Sequence, residues 1–304
     1  MGEVEKTPKV EGCQAPRASV TRPRLKAPAG STDCHFHIFG PHARYPLSPG
    51  RRYTPPEATV GQYRALAATL GIERMVVVQP SIYGTDNACT LDAVAAFGQE
   101  RARAVAVLDE SANAPQLRRL HEAGVRGVRF NAVSGNGTPL EQLQTLARRI
   151  APLGWHLQLY VHGEQLLELA PRLPGLGLPV VVDHMGGISS EKGVGNPEFR
   201  ALLGLMEGGR MWVKLCGYRS SAAGYPFRDV APMAEALITA APERCLWGTD
   251  WPHPSYMKTM PDDAELLDLF GEWAPSTGLR RRILAENPVV LYGFPPVTAD
   301  CSKA

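Results

Sequence analysis

The chain has 304 residues, 44% hydrophobic and 20% charged, which excludes a disordered or collagen-like polymer and is enough to bury a core without disulfides. Lys+Arg 32 against Asp+Glu 30 gives a formal net charge of +2, which argues against nucleic acid or an anionic membrane surface as a partner. The six cysteines show no C-x-x-C spacing, so neither a zinc ribbon nor a dithiol redox centre is expected.

In chain order, residues 1–28 are rich in Pro, Lys, Arg and small polar residues and predict a flexible tail without an apolar secretory core. Apolar, β-branched runs follow at Thr32–Ile38, Arg74–Pro80, Ala102–Leu108, Val125–Asn131, Trp155–Val161, Leu178–His184, Met211–Gly217 and Arg244–Asp250. Most are continuous rather than alternating, as expected of parallel strands covered on both faces. Between them, Val60–Leu70 repeats apolar residues at spacings of three and four, and Ala114–Ala123 and Leu140–Leu153 do the same. Glu164–Leu173, Asn196–Glu207, Val230–Ala241 and Asp262–Trp273 predict further helices, with Pro115, Pro197 and Pro261 near helix starts. Strands alternating with helices over roughly 270 residues predict a single-domain α/β fold, the (β/α)8 TIM barrel. Residues 29–297 form that domain, and 298–304 a short C-terminal tail. No G-x-G-x-x-G follows a strand, which argues against a doubly wound dinucleotide fold. No run approaches the ~20 apolar residues that span a bilayer, so no membrane role is expected and the expected compartment is the cytoplasm.

A barrel of this kind carries its site at the C-terminal strand ends. There the first run reads Asp33-Cys34-His35-Phe36-His37, the sixth ends Asp183-His184, and the eighth ends Gly248-Thr249-Asp250. Alternation sends His35 and His37 to the same side. Three imidazoles and a carboxylate therefore converge at one mouth. Asp33 and Asp183 read as anchors of the strand ends, and His42, His121, His156 and His253 as ordinary core or surface histidines.

The motifs DCHFHIFGP, VVVQPS, GVRGVRFN, VVVDHMG and WGTDWPHP resemble the amidohydrolase superfamily, from about Ser31 to Phe294. Within it they are most similar to the metal-independent branch of the 2-pyrone-4,6-dicarboxylate lactonases. The resemblance implies a hydrolase that opens a small anionic lactone in aromatic catabolism: 2-pyrone-4,6-dicarboxylate, a muconolactone or a sulfomuconolactone. It implies Asp250 as the general base toward water, and His35, His37 and His184 as the groups that polarise the carbonyl. Tyr53, Ser81, Arg129, Tyr160 and Arg219 match substrate-binding positions, the guanidinium groups suiting carboxylates. No cofactor is implied.

The chain departs from that pattern at Gly135, which falls about where such lactonases carry a further arginine after the FN of GVRGVRFN. Recognition of a second carboxylate is thereby open, and residues 133–138 are expected to form an open, adaptable loop. A second departure is His162, which with His35, His37 and Asp250 offers an alternative site for one zinc or manganese ion. The alternative functions are accordingly a metal-dependent hydrolase or decarboxylase, or a sugar-acid lactonase. No coiled-coil pattern points to an oligomer, and a homo-oligomer stays open.

Overall fold

The computed structural model describes residues 11–296. Eight parallel strands form the barrel: β1 Thr32–Phe36, β2 Arg74–Val78, β3 Ala102–Ala106, β4 Val125–Asn131, β5 His156–Tyr160, β6 Val180–Val182, β7 Met211–Lys214 and β8 Cys245–Leu246. They pair in sequence order from β1 to β8. The ring closes beyond the short β8 through backbone bonds from Cys34 N to Trp247 O (2.9 Å), Asp250 N to His35 O (2.7 Å) and His37 N to Trp251 O (2.8 Å). Gly248 permits this closure, because a Cβ there would stand 2.7 Å from His35 Cβ and 2.8 Å from His35 N.

The helices are α1 Val60–Leu70, α2 Ala88–Phe97, α3 Ala114–Glu122, α4 Leu143–Ile150, α5 Gly163–Leu169, α6 Pro197–Glu207, α7 Ala231–Ala240 and α8 Asp263–Trp273. Four of these starts are capped by side chains. Thr59 and Gln62 make a reciprocal capping box on α1, and Asn113, Asn196 and Asp262 cap α3, α6 and α8 through their side chains. Two elements go beyond the sequence reading: α2, and a C-terminal helical run of Thr277–Arg281, Arg282–Glu286 and Asn287–Tyr292.

Except for β4, which fills its run, the observed strands stop short of the apolar runs at their C-terminal ends, because there the chain leaves the sheet to build the barrel mouth. Between barrel and helices lies the main core. Inside the barrel, Cys34, Val76, Val78, Val105, Val181, Trp212 and Leu246 form a separate buried layer. Leu291, Tyr292 and Phe294 of the C-terminal run close its lower end. Arg103, on β3, ties that plug down by donating to Tyr292 O (3.1 Å) and Gly293 O (2.8 Å).

Of the segment read as a tail, residues 1–10 lie outside the described residues, as does the short tail at 298–304. Residues from Glu11 onward run along the barrel exterior. Glu11–Gly12 pair with Tyr53–Thr54, Thr21 N donates to Asp262 (3.1 Å) and Leu25 N to Asp268 (2.7 Å). Among the described residues no helix is long and apolar enough to cross a membrane.

Candidate active site

The C-terminal mouth of the barrel opens into a cavity of about 390 Å³, lined among others by His37, Tyr53, Arg129, Tyr160, His184, Arg219 and Asp250. A bulge in β1, where the pairing with β2 shifts register between Asp33 and Phe36, places Cys34 in the barrel layer and still turns His35 and His37 inward.

Asp250 is the centre of the upper layer. Its Oδ2 accepts from the Tyr218 hydroxyl at 2.5 Å and from Arg219 Nε at 2.6 Å. Its Oδ1 lies 3.3 Å from His37 Nε2 and 3.5 Å from His35 Nε2. Burial works to raise its pKa, but Arg219, then His184, His37 and His35, outweigh it and hold the carboxyl well below the usual range. Asp250 and His184 both sit in the left-handed backbone region, at φ 60° and 51°. Such residues cost about 1–3 kcal/mol each and cluster where function requires them.

Asp183 anchors the layer beneath. Its Oδ2 accepts from Arg129 Nε (3.2 Å) and Gln158 Nε2 (3.0 Å), and its Oδ1 lies 3.2 Å from His35 Nδ1 and 3.5 Å from Lys214 Nζ. Lys214 is wholly buried and donates to Gln158 Oε1 at 2.7 Å. Burial raises the pKa of Asp183, but His35, Lys214 and Arg129 outweigh it and the net shift is far downward. The expected role of anchoring strand ends through backbone groups therefore fits Asp33 and not Asp183. Asp33 accepts from the backbone of His35 (2.9 Å) and Thr249 (3.1 Å), and from the hydroxyls of Thr249 (2.6 Å) and Tyr63 (2.9 Å). Burial still pushes its pKa up to about 6.

Burial lowers the pKa of all three site imidazoles, His184 to about 4, so they are neutral near pH 7. His37 Nδ1 lies 2.7 Å from Val78 O, an oxygen that can only accept. The Nδ1 proton is therefore committed, and neutral His37 presents a bare Nε2 to the cavity.

Ser81 lies behind the cavity wall with its hydroxyl against Tyr53, while Tyr53, Arg129, Tyr160 and Arg219 reach the cavity itself. His162 stands apart. Tyr160 takes the inward position, the chain leaves the sheet after it, and His162 is exposed at the start of α5 with its N–H on Gln165. Among the described residues, the buried groups whose ligand atoms lie within 4.8 Å of one another are His35/Asp183/His184, His35/His37/Asp250 and His184/Cys216/Asp250, none of which includes His162. The loop expected to be open at 133–138 is pinned: Ser134 N donates to Asn131 (2.9 Å) and Asn136 Nδ2 to Ser81 O (2.6 Å).

Lys214, Tyr218, Gln158 and the hub role of Asp183 escaped the sequence reading. The one signal available was a lysine inside the apolar run Met-Trp-Val-Lys-Leu-Cys. His253 is, as expected, a core histidine outside the cavity wall, with Nε2 3.2 Å from Asp263 and its ring edge-on to Tyr218 at 5.1 Å.

The amidohydrolase family profile matches residues 32–294, the whole barrel. A 2-pyrone-4,6-dicarboxylate hydrolase of Comamonas testosteroni is 41% identical over 304 residues, covering 96% of this chain and 98% of the relative. A 4-sulfomuconolactone hydrolase of Hydrogenophaga intermedia is 40% identical over 296 residues, covering 95% and 96%. An apo crystal structure from Agrobacterium tumefaciens superposes with a TM-score of 0.82 at 35% identity, covering 90% of this chain and all 100% of that one. With that profile spanning the barrel and relatives of 40% and 41% identity covered almost end to end, the chain belongs to the amidohydrolase family.

Proposed function

We propose that this protein is a lactonase that hydrolyses a small anionic lactone of aromatic catabolism, with Asp250 as general base. The observation that carries this reading is the facing pair of Asp250 Oδ1 and His37 Nε2, two acceptors 3.3 Å apart at the cavity wall. Neither can donate to the other at neutral pH. One water can satisfy both, giving a hydrogen to each, and is thereby aimed at the ring in the cavity. The relatives named as hydrolases of pyrone and sulfomuconolactone rings support the substrate class.

In the proposed reaction the water oxygen bonds to the lactone carbonyl carbon while Asp250 Oδ1 takes one of its protons. His184 and the Arg129 guanidinium face the cavity and stabilise the developing oxyanion. The tetrahedral adduct collapses, the bond to the ring oxygen breaks, and the proton held on Asp250 passes to that oxygen. An enol is a good leaving group and needs no Lewis acid. The new carboxylic acid ionises, so the equilibrium is expected to favour the open form increasingly as pH rises from about 6 to about 9.

The donor set can be tested for a divalent ion. The spacing of His35, His37 and Asp250 would admit one. The charges oppose it, because Lys214, Arg129 and Arg219 already outnumber Asp183 and Asp250 in this buried cluster, and the second oxygen of Asp250 is held by Tyr218 and Arg219. An excess of positive charge suits an anionic ligand instead. We therefore read the site as metal-independent and place its chemistry in the cytoplasm, where the buried thiols of Cys34, Cys89, Cys216 and Cys245 stay reduced.

The test is the ultraviolet absorbance of 2-pyrone-4,6-dicarboxylate with purified protein, before and after chelator treatment. Chelator-resistant loss of the pyrone band is expected. No turnover of this ring or of a muconolactone overturns the reading.

A further inference from the structure

Three guanidinium groups line the cavity: Arg52, Arg129 and Arg219. Two are already matched by protein carboxylates, Arg129 by Asp183 at 3.2 Å and Arg219 by Asp250 at 2.6 Å. Arg52 has no ion pair or hydrogen bond to protein among the described residues. It belongs to the loop between β1 and α1, directly before the buried Tyr53 whose ring also faces the cavity. Its neighbour Arg51 is engaged with Thr54 Oγ1 (3.0 Å) and Ser48 O (3.3 Å).

The seat of Arg52 is shaped by a glycine on the opposite loop. A Cβ on Gly135 would stand 2.6 Å from Arg52 Nε and 3.0 Å from Cζ, so the guanidinium lies flat against bare backbone. Gly135 also has φ +64°, a conformation that disfavours any side chain. That loop does not drift, because Asn136 of the same turn is bonded to Ser81 O. An exposed arginine is ordinarily a solvated charge. Here it stands over a cavity wall whose other cations are each paired with a protein carboxylate, against a turn whose positive φ favours glycine and where a Cβ would displace the guanidinium.

We infer that Arg52, seated on Gly135, is the specificity-determining cation for a second anionic group on the substrate, a carboxylate or sulfonate distal to the lactone carbonyl. The inference rests on the lactonase reading above and deepens it. A planar fork of donors can hold such an oxyanion by two parallel hydrogen bonds, and the unpaired charge is released from solvent without first breaking an internal pair. An arginine delivered from the β1–α1 loop makes Gly135 a platform rather than a gap in recognition.

The experiment compares wild type with Arg52→Met and Arg52→Lys on 2-pyrone-4,6-dicarboxylate and on the pyrone that keeps only the carboxylate nearer the ring oxygen. Arg52→Met is expected to raise KM for the dicarboxylate about 10- to 100-fold, with kcat changed less than about threefold and KM for the monocarboxylate unmoved. Arg52→Lys recovers most of the loss, and Gly135→Ala, checked for folding by circular dichroism, reproduces that of Arg52→Met. Equal KM changes on both substrates, or none on either, overturn the inference. Calorimetric binding of the same two acids separates the hypotheses. If wild type binds them but turns neither over, the catalytic reading fails, while the Arg52→Met difference in affinity still decides the subsite.

Discussion

Lys214 Nζ lies 3.3 Å from His35 Nδ1, both side chains wholly buried beneath the cavity floor. A lysine that gives up its hydration must be held by partners, and here they are Gln158, Asp183 and His35, drawn from β5, the end of β6 and β1. The ammonium suppresses protonation of His35 and contributes to holding Asp183 ionised. Lys214 is thereby placed to position an imidazole that lies 3.5 Å from Asp250, the carboxylate proposed as general base.

Lys214→Met keeps the approximate volume and removes the charge. His35 then protonates more readily, since Lys214 opposes that protonation. The acid limb of the pH–rate profile is expected to move to higher pH, with kcat near pH 7 falling about tenfold or more. The variant is also expected to lose roughly 2–4 kcal/mol of stability in urea titration, because Asp183 keeps Arg129 and His35 but loses one cation. An unmoved acid limb would leave Lys214 with a purely structural role.

Asp250→Asn retains shape but cannot take a proton from water. Turnover is expected to fall about 1,000-fold or more with KM within a fewfold of wild type, since Arg52 and Arg129 remain in the cavity wall. Burst and steady-state kinetics on the same lactone check it. Activity within about tenfold of wild type would remove Asp250 from the base role.

The barrel is legible in the sequence because parallel strands covered on both faces favour continuous apolar runs, and most of the eight runs are of that kind. His35, His37, His184 and Asp250 are legible because they end those runs. The ionic layer is not, because Asp183, Gln158, Lys214 and Arg129 meet only when β4, β5, β6 and β7 lie side by side, far apart in sequence. Helix α2 is hidden for another reason. Its Ala-Cys-Thr-Leu-Asp-Ala-Val-Ala-Ala-Phe has small and apolar residues on several faces, and Asn87 ahead of it spends its side chain bridging to Val107 rather than capping. Arg52 has no local signature at all; its meaning comes from Gly135 across the cavity.

Metal content gives an independent check on the charge argument. With Lys214, Arg129 and Arg219 already facing two carboxylates, added zinc or manganese is expected to leave activity unchanged within about twofold. Protein purified without added metal and assayed by elemental analysis should carry less than about one ion per ten chains. Stoichiometric metal whose removal abolishes turnover would replace Asp250-activated water with metal-assisted hydrolysis.

Buried imidazoles also set how stability responds to acid. His156 on β5 is buried against the Tyr292 plug, and burial lowers its pKa to about 3. His184 falls to about 4, and His35 and His37 are lowered too. Each binds a proton in the unfolded chain at about pH 6.5 but in the folded one only at lower pH. Their contribution is thus complete above about pH 6.5 and is lost progressively as pH falls toward 4 and then 3. Asp33 works in the opposite sense, since its pKa is raised to about 6 and the folded state holds that proton more tightly. It offsets one histidine over part of the range. Melting temperature is therefore expected to decline from about pH 6.5 downward, and His156→Phe, which cannot titrate, to reduce the slope by about one proton between pH 6 and pH 4 while leaving activity unchanged. A slope identical to wild type would show that His156 is not held neutral in the barrel.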